Sequence, residues 1–146
     1  MKQLPNFLTS LRLIIIPLLV AAFYVPGILS NIITTFLFTI AAITDYFDGN
    51  VSALDAIKVR QPGATFSQAA WKAMRKVKAG KTLSYADLAA RSGSPAAVRA
   101  AGSACAKNAI VLVVPCHRIV KTGGALGNYA YGLNKKEWLL RHEGAL

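Results

Sequence analysis

Acidic residues and cysteines are scarce in this chain of 146 residues. Six Asp and Glu stand against 17 Lys and Arg, which gives a formal net charge of +11 at pH 7. Within residues 1–50, Lys2 and Arg12 balance Asp45 and Asp48, so the whole excess lies in residues 51–146. Such a basic domain favours a polyanionic partner, either nucleic acid or an anionic membrane. A basic domain that is merely soluble is the alternative.

The two cysteines, Cys105 and Cys116, are too few for the disulfide framework of a small secreted domain. They form no C-x-x-C pair and have no histidine cluster near them, so we expect no zinc site in this part of the chain. We therefore predict reduced thiols in a cytosolic setting and no cofactor. Internal repeats and low-complexity tracts are also lacking.

The first 50 residues are rich in apolar side chains but hold no clean apolar run of membrane-spanning length. Leu11–Val25 is interrupted by Pro17, and Ile28–Thr44 by serine, asparagine and threonines. We favour an apolar helical hairpin or a pair of interfacial helices, with membrane association through residues 7–44. A signal peptide competes, although no A-x-A cleavage site stands out. A buried soluble helical pair has too few charges to solvate its outer face.

This half ends in TDYFDGN, where Asp45 and Asp48 share one helix face and could hold a divalent cation. PNFLTSLRL, an apolar helix and DYFDG resemble the amino terminus of the CDP-alcohol phosphatidyltransferases. The family signature D-x-x-D-G-x-x-A-R, which continues to G-x-x-x-D-x-x-x-D, stops here after D-x-x-D-G. The resemblance implies a truncated, inactive fragment over residues 1–50, with magnesium at the two aspartates only if the fragment still binds metal.

Residues 51–146 differ in character, and we predict that they form a DNA-binding domain. After a polar stretch with Pro62-Gly63, apolar side chains recur at helical spacing over Phe66–Val77, and Gly80 is expected to end that helix. The strand signal comes later: Ile110–Val114 is a β-branched run typical of a buried strand, which Pro115 would end.

A helix-turn-helix is predicted over Leu83–Asn108. Ser84 can cap its first helix with Asp87 as a weak capping-box partner. Ser94-Pro95 is expected to start the second helix, which is almost all alanine, glycine and serine, with Arg99 as its long basic residue. Such a helix can lie close to DNA while contacting few base edges. Tight packing against other helices requires the same small residues.

Cys116 follows the predicted strand and has His117 and Arg118 beside it. A nucleophilic cysteine must be a thiolate, and imidazole or cationic groups lower the pKa of a thiol. A free cysteine after an apolar strand is nevertheless more often a small core residue. The dipeptide alone therefore leaves both interpretations open.

PCHRIV, with the helix-turn-helix before it and GALGNYAYGLNKKEWLLRHEG after it, resembles the catalytic domain of the O6-alkylguanine-DNA alkyltransferases. The match runs from about Gly63 to Gly144. It implies a mostly α, winged-helix-like domain with a short β element. It also implies one irreversible transfer of an alkyl group from O6 of guanine, or O4 of thymine, in double-stranded DNA to the protein's own cysteine. We expect a monomer without a cofactor.

The resemblance also implies roles for individual residues. Cys116 matches the acceptor, His117 the base that activates it through a water, and Glu143 the carboxylate that orients the histidine. Asn108 matches an asparagine that braces the turn before the active-site loop. Tyr85 matches a tyrosine that rotates the target phosphate and can donate a proton to the departing guanine.

The resemblance further implies minor-groove docking of the helix-turn-helix. Arg99 matches a finger that replaces the flipped nucleotide, since a stacked base cannot bring O6 to a buried thiolate. The DNA-contacting positions are Tyr85, Ala96, Arg99, Ala100 and Lys107. The alkyl pocket is implied at Pro115, Ile119, Gly127, Asn128, Tyr129 and Ala130. Ser67 replaces a frequent glutamine, and Ala130 a frequent serine or arginine, which could alter the alkyl sizes accepted.

Three classes of function are therefore weighed. The first is a DNA-repair alkyltransferase behind a phosphatidyltransferase remnant, and the second is a membrane protein that acts through residues 1–50. The third is a lesion-binding module without catalysis. The missing half of the phosphatidyltransferase signature disfavours the second, and the presence of Cys116 disfavours the third. We predict the first, in the cytoplasm or tethered to the cytoplasmic side of a membrane if the hairpin inserts.

Overall fold

The computed structural model describes Ile14, Pro17 and residues 28–47 and 49–146. The chain divides into two compact units, Met1–Leu54 and Asp55–Leu146. The two domains predicted from composition, 1–50 and 51–146, and the function assigned to each of them remain predictions.

The first unit contains helix α1, Ile28–Phe47. Two of its threonines satisfy their hydroxyls within the helix: Thr39 Oγ1 donates to the carbonyl of Thr35 at 2.8 Å and Thr44 Oγ1 to the carbonyl of Ala41 at 2.7 Å. No helix among the described residues has the length and apolar character needed to cross a membrane. The first arm of the predicted hairpin, Leu11–Val25, lies outside the described residues except for Ile14 and Pro17.

The metal site predicted at Asp45 and Asp48 also lies partly outside the described residues, since Asp48 is not among them. In the part of the chain that is described, no three His, Cys, Asp or Glu side chains come together as metal ligands.

The second unit is mostly helical, as predicted. Its elements in chain order are α2 (Thr65–Arg75), β1 (Leu83–Ser84), α3 (Tyr85–Arg91), α4 (Val98–Ala106), a 3-10 helix (Cys116–Arg118), β2 (Ile119–Val120) and α5 (Leu133–His142). A further 3-10 helix, Ala53–Ala56, lies where the two units meet in sequence. The two strands pair in parallel, with Leu83 opposite Ile119 and Ser84 opposite Val120.

Small side chains allow α2 and α4 to pack closely. Ala70 and Met74 of α2 and Ala101 and Ala104 of α4 are fully buried. Trp71 lies between the helices and donates from Nε1 to the carbonyl of Ala104 at 2.9 Å, so its one polar atom is satisfied inside the core. The alanine-rich sequence of α4 therefore serves packing on one side of the helix.

The helix predicted over Phe66–Val77 is present but ends earlier than Gly80, at Arg75. At this end the N–H groups of Lys76 and Val77 donate to carbonyls three residues earlier, at 3.1 and 3.0 Å. This tighter spacing satisfies the last carbonyls of the helix without a glycine.

The helix-turn-helix consists of α3 and α4. Its first helix begins as predicted: Ser84 Oγ accepts from the N–H of Asp87 at 3.0 Å and donates to Asp87 Oδ2 at 2.7 Å. The predicted start of the second helix at Ser94-Pro95 is wrong. Pro95 instead takes the second position of a turn closed by the N–H of Ala97 and the carbonyl of Ser94, at 2.9 Å, and α4 starts at Val98.

The strand predicted at Ile110–Val114 is also wrong. The segment folds into turns, with Leu112 at a φ of 70° and the N–H of Val114 donating to the carbonyl of Ile110 at 2.9 Å. Its apolar side chains do pack, and Val114 is 1% exposed. The β-branched run thus indicated the burial of this segment correctly. It did not indicate the backbone conformation, because turns satisfy the backbone groups locally.

Candidate active site

Cys116 begins the 3-10 helix that follows these turns and is 5% exposed. Its backbone N–H donates to the carbonyl of Val114 at 2.8 Å. Asn108, just after α4, reaches the same point: its Nδ2 donates to the carbonyl of Val114 at 2.7 Å and to Cys116 Sγ at 3.2 Å. The thiol is thus held between the backbone and an amide donor.

The surroundings of Cys116 act on its pKa in opposite directions. Burial is the largest influence and raises the pKa of the thiol, while the hydrogen bond from Asn108 and the charge of Lys136 lower it. Only the thiolate is an effective nucleophile. Asn108 therefore favours the reactive form, and proton removal still requires a base.

Glu143 connects the two residues that follow the cysteine. Its Oε1 lies 2.9 Å from Nε2 of His117. Arg118 grips the same carboxylate from Nε and Nη2, at 2.8 Å each, and donates from Nη1 to the carbonyl of Val77 at 2.6 Å. His117, Arg118 and Glu143 are all buried. The sequence indicated Arg118 only as a positive charge, because nothing in a linear pattern pairs it with a residue near the carboxyl terminus.

The ion pair between Arg118 and Glu143 determines which ring nitrogen of His117 carries the proton. A carboxylate held by a guanidinium is ionised and accepts hydrogen bonds, so Nε2 of His117 carries the proton. Burial lowers the pKa of His117 despite the opposing effect of Glu143, so the ring is neutral. Its Nδ1 is then the basic nitrogen, and it is buried without a hydrogen-bond partner among the described residues.

Lys136 is a buried cation that was not among the residues predicted from the sequence. It is 0% exposed, and its Nζ donates to the carbonyl of Ile119 at 2.5 Å and to the carbonyl of Leu126. Burial lowers the pKa of Lys136, while the two thiols raise it. The sequence did carry a signal: Lys136 precedes the buried Leu139 and Leu140 by three and four residues and shares their helix face.

A cavity of about 490 Å³ opens beside the cysteine. It lies among the helix-turn-helix, the active-site segment and the loop before α5. Its lining residues are Tyr85, Val98, Gly102, Cys105, Ala106, Cys116, Lys121, Asn128, Tyr129 and Ala130. Three of the predicted pocket residues, Asn128, Tyr129 and Ala130, are among them.

The other predicted pocket residues lie elsewhere. Pro115 and Ile119 are fully buried and do not line the cavity. Gly127 contacts the tyrosine at the cavity wall: a Cβ at this position, where φ is +68°, would lie 3.0 Å from a ring carbon of Tyr85. Only glycine combines this backbone conformation with so close an approach.

Tyr85 and Cys105 are two further titratable groups at the cavity wall. Tyr85 donates from its hydroxyl to the carbonyl of Asn128 at 3.4 Å. Burial, with smaller effects from the two thiols, raises the pKa of Tyr85 to about 12. Burial also raises the pKa of Cys105 to about 12. Both groups are therefore neutral, so Tyr85 can donate a proton and Cys105 is a weak nucleophile.

The predicted DNA-contacting residues in and next to the second helix lie at the surface. Ala96, Arg99, Ala100 and Lys107 are exposed, next to the α4 residues that line the cavity. The structure thus brings the predicted acceptor, base, carboxylate and brace together, and of the predicted DNA-contacting residues Tyr85 lines the cavity.

Residues 65–145 match the family model for the DNA-binding domain of 6-O-methylguanine DNA methyltransferase. The chain belongs to this family. A second model, CDP-alcohol phosphatidyltransferase, matches residues 2–52, in agreement with the resemblance noted in the sequence.

Individual members of the methyltransferase family are similar to more than half of the chain. The methylated-DNA–protein-cysteine methyltransferase of Salmonella typhimurium is 44% identical over 104 residues, which are 71% of this chain and 61% of that protein. The human protein of that name is 51% identical over 77 residues, 53% of this chain and 37% of the human one. The chain thus spans about three fifths of the length of the bacterial relative and a smaller share, 37%, of the human protein.

The fold is likewise that of solved methyltransferase structures. Mycobacterium tuberculosis OGT in complex with DNA superposes with a TM-score of 0.65 at 36% identity, covering 72% of this chain and 63% of that one. The O6-methylguanine-DNA methyltransferase of Pyrococcus kodakaraensis superposes with a TM-score of 0.53 at 29% identity, over 68% and 63% of the two chains. The predicted helical alkyltransferase fold is therefore confirmed.

Proposed function

We propose that this chain performs direct-reversal DNA repair by moving an alkyl group from O6-alkylguanine, or O4-alkylthymine, onto Cys116 in a single turnover. One observation carries the proposal. The Cys116 thiol lines a cavity of about 490 Å³, accepts a hydrogen bond from Asn108, and directly precedes a histidine paired with a buried carboxylate. The names of the relatives support the same reaction.

The transfer begins with proton removal. Nδ1 of the neutral His117 accepts the thiol proton through a water, and the resulting imidazolium is stabilised by Glu143. Asn108 stabilises the thiolate meanwhile. The sulfur then attacks the alkyl carbon, so an S–C bond forms as the C–O6 bond breaks and its electron pair leaves with the base. Tyr85 can donate the proton that the departing guanine takes up. No cofactor enters this scheme.

Double-stranded DNA is the proposed partner, bound through its minor groove. The exposed Ala100 of α4 and Ala96 in the turn before it permit close approach to the DNA backbone, and Lys107 adds positive charge. Arg99 would enter the base stack in place of the flipped nucleotide. Delivery from this side leads directly into the cavity, since Val98 and Gly102 of the same helix line it. Tyr129, Asn128 and Ala130 would then enclose the alkyl group.

The experiment is intact-mass spectrometry of the whole chain after incubation with a duplex that carries O6-methylguanine. One CH₂ unit should be added, and the tryptic peptide that holds Cys116 should carry it. Cys116→Ala should gain nothing and serves as the control. Folded wild-type protein that binds the duplex without any mass gain would indicate a lesion-binding module and contradict the transfer.

Binding is tested separately with undamaged duplex. Because phosphate contacts release counterions, affinity should fall steeply as salt rises. Arg99→Ala should slow transfer from duplex DNA far more than transfer from the free base O6-benzylguanine, with Arg91→Ala as the control. Equal losses on both substrates would refute the role of Arg99 in base flipping.

We infer further that the chain is a monomer in the cytoplasm. If residues 7–44 insert into a membrane, the chain is instead tethered to its cytoplasmic side. The unpaired thiols of Cys105 and Cys116 support a reducing compartment. Sedimentation of the purified chain tests the monomer. Fractionation of expressing cells tests the location, and recovery from washed membranes would favour the tethered form.

A further inference from the structure

Gln61 is a buried polar residue that precedes the part of the chain matched by the methyltransferase family model. It is 7% exposed and lies opposite Asn108. Its Nε2 donates to Asn108 Oδ1 at 3.1 Å, and its Oε1 accepts from the backbone N–H of Ala109 at 3.0 Å. A side chain from the segment that precedes α2 is thus bonded directly to the residue that holds the reactive thiol.

The segment around Gln61 is anchored on both sides. Gln68 donates from Nε2 to the carbonyl of Gln61 at 2.6 Å. Gly63 lies against the Trp71 ring so closely that a Cβ there would be 2.5 Å from a ring carbon. Trp71 is itself bonded to α4. Gln61 therefore reaches Asn108 from a fixed position.

The orientations of both amides follow from backbone donors, which cannot reverse. The N–H of Ala109 requires an oxygen and so selects Oε1 of Gln61, which leaves Nε2 facing Asn108. The N–H of Ile110, at 3.2 Å, requires an oxygen of Asn108. Nδ2 of Asn108 must then face the carbonyl of Val114 and the sulfur of Cys116.

We propose that Gln61 is a positioning residue for the alkyl transfer: it holds the Asn108 amide in the orientation that donates to the Cys116 sulfur. Two donors on Oδ1 polarise the amide and strengthen the donation from Nδ2. The role deepens the proposed function and rests on it where transfer to Cys116 is concerned. The chain of bonds from Ala109 through Gln61 and Asn108 to Sγ exists independently of any substrate.

The first test uses Gln61→Met, which keeps the length of the side chain and removes both hydrogen-bonding groups. Iodoacetamide is the probe, and the alkylation rate of Cys116 is followed from about pH 6 to about pH 10. This range covers both sides of the pKa of an ordinary thiol, about 8.5. Trypsin separates the peptides 100–107 and 108–118, so Cys105 and Cys116 are scored individually. No DNA is involved, so the outcome does not depend on the proposed function.

In Gln61→Met the apparent pKa of Cys116 should rise, because the thiolate loses part of its donor. At pH 7 the alkylation rate should fall roughly threefold to tenfold, since one pKa unit is tenfold in thiolate, and it should recover at high pH. Transfer from O6-methylguanine DNA should fall by a similar factor. Lys72→Met, on the neighbouring exposed surface of α2, is the control and should change neither rate.

A purely structural role would lower the rate by the same factor at every pH, and that result would overturn the proposal, as would an unchanged profile. If Gln61→Met does not fold, the wild-type chain still decides. The side-chain amide ¹⁵N resonances of Gln61 and Asn108 should both shift with the titration of Cys116, and a Gln61 resonance that ignores it would overturn the proposal. Absence of DNA repair with an intact iodoacetamide effect would refute the proposed function alone.

Discussion

Arg118 and Glu143 form a two-point ion pair in the interior, with Nε and Nη2 each 2.8 Å from a carboxylate oxygen. Their side chains are 3% and 0% exposed. The pair links the segment that carries the nucleophile to the end of α5. It also keeps Glu143 ionised, so His117 presents Nδ1 as its basic nitrogen.

Removal of the guanidinium should therefore damage both stability and catalysis. Arg118→Met leaves a buried carboxylate with one partner fewer and should lower the free energy of unfolding by about 3–5 kcal/mol. Arg141→Met is the matched control, because Arg141 pairs with Glu137 in an exposed pair on the same helix and should cost at most about 1 kcal/mol. Urea denaturation measures both, and equal losses would contradict the importance of the buried pair.

On the acid side, the rate of transfer should depend on pH through His117. Burial lowers the pKa of His117, so the ring should remain a competent base below the usual imidazole value of 6.5. Single-turnover rates should therefore hold as the pH falls through 6.5 and decline only at lower pH. A rate that halves at pH 6.5 would mean that His117 titrates like an exposed histidine.

The same shift makes a prediction for stability. The unfolded chain takes up the His117 proton near pH 6.5, whereas the folded chain takes it up only at lower pH. Folding is thus favoured fully above 6.5, and this contribution is lost as the pH falls through the folded value. Thermal unfolding of His117→Gln, scanned from pH 8 to about pH 5, should show a weaker loss than the wild type.

Gly127 should be more sensitive to substitution than a glycine with similar backbone geometry. Gly127→Ala places a Cβ 3.0 Å from the Tyr85 ring, whereas Gly124, with a φ of +87°, has nothing within 4 Å of its Cβ position. Both variants carry a backbone cost of about 1 kcal/mol. Only Gly127→Ala should also slow transfer, by roughly tenfold, because it displaces the cavity wall. Equal kinetics of the two variants would exclude a role for this contact.

Cys105 should remain unmodified although it lines the same cavity. Burial raises its pKa to about 12, so it is a neutral thiol at pH 7. Peptide mapping after repair should find the alkyl group on residues 108–118 and none on residues 100–107. Alkylation of Cys105 at a comparable rate would show that position in the cavity, rather than thiolate stabilisation by Asn108, selects the acceptor.

The sequence predicted those parts of the site that depend on local pattern. Cys116, His117 and Glu143 followed from a motif and its resemblance, and the Ser84 cap followed from local chemistry. The turns at Ile110–Val114 were missed because β-branched residues report burial and do not specify which backbone groups will pair. Gln61 was missed for another reason: it lies 47 positions from Asn108, and one glutamine in a polar segment carries no periodic signal.

The two-rung ladder between β1 and β2 has one more consequence. Ser84, which starts the helix-turn-helix, pairs with Val120, and the nucleophile lies only a few positions before that rung. The surface proposed to bind the duplex and the atom proposed to react are thus connected through this one pair of strands. Because the connection is so short, a rotation of the helix-turn-helix would move the Cys116 sulfur with it.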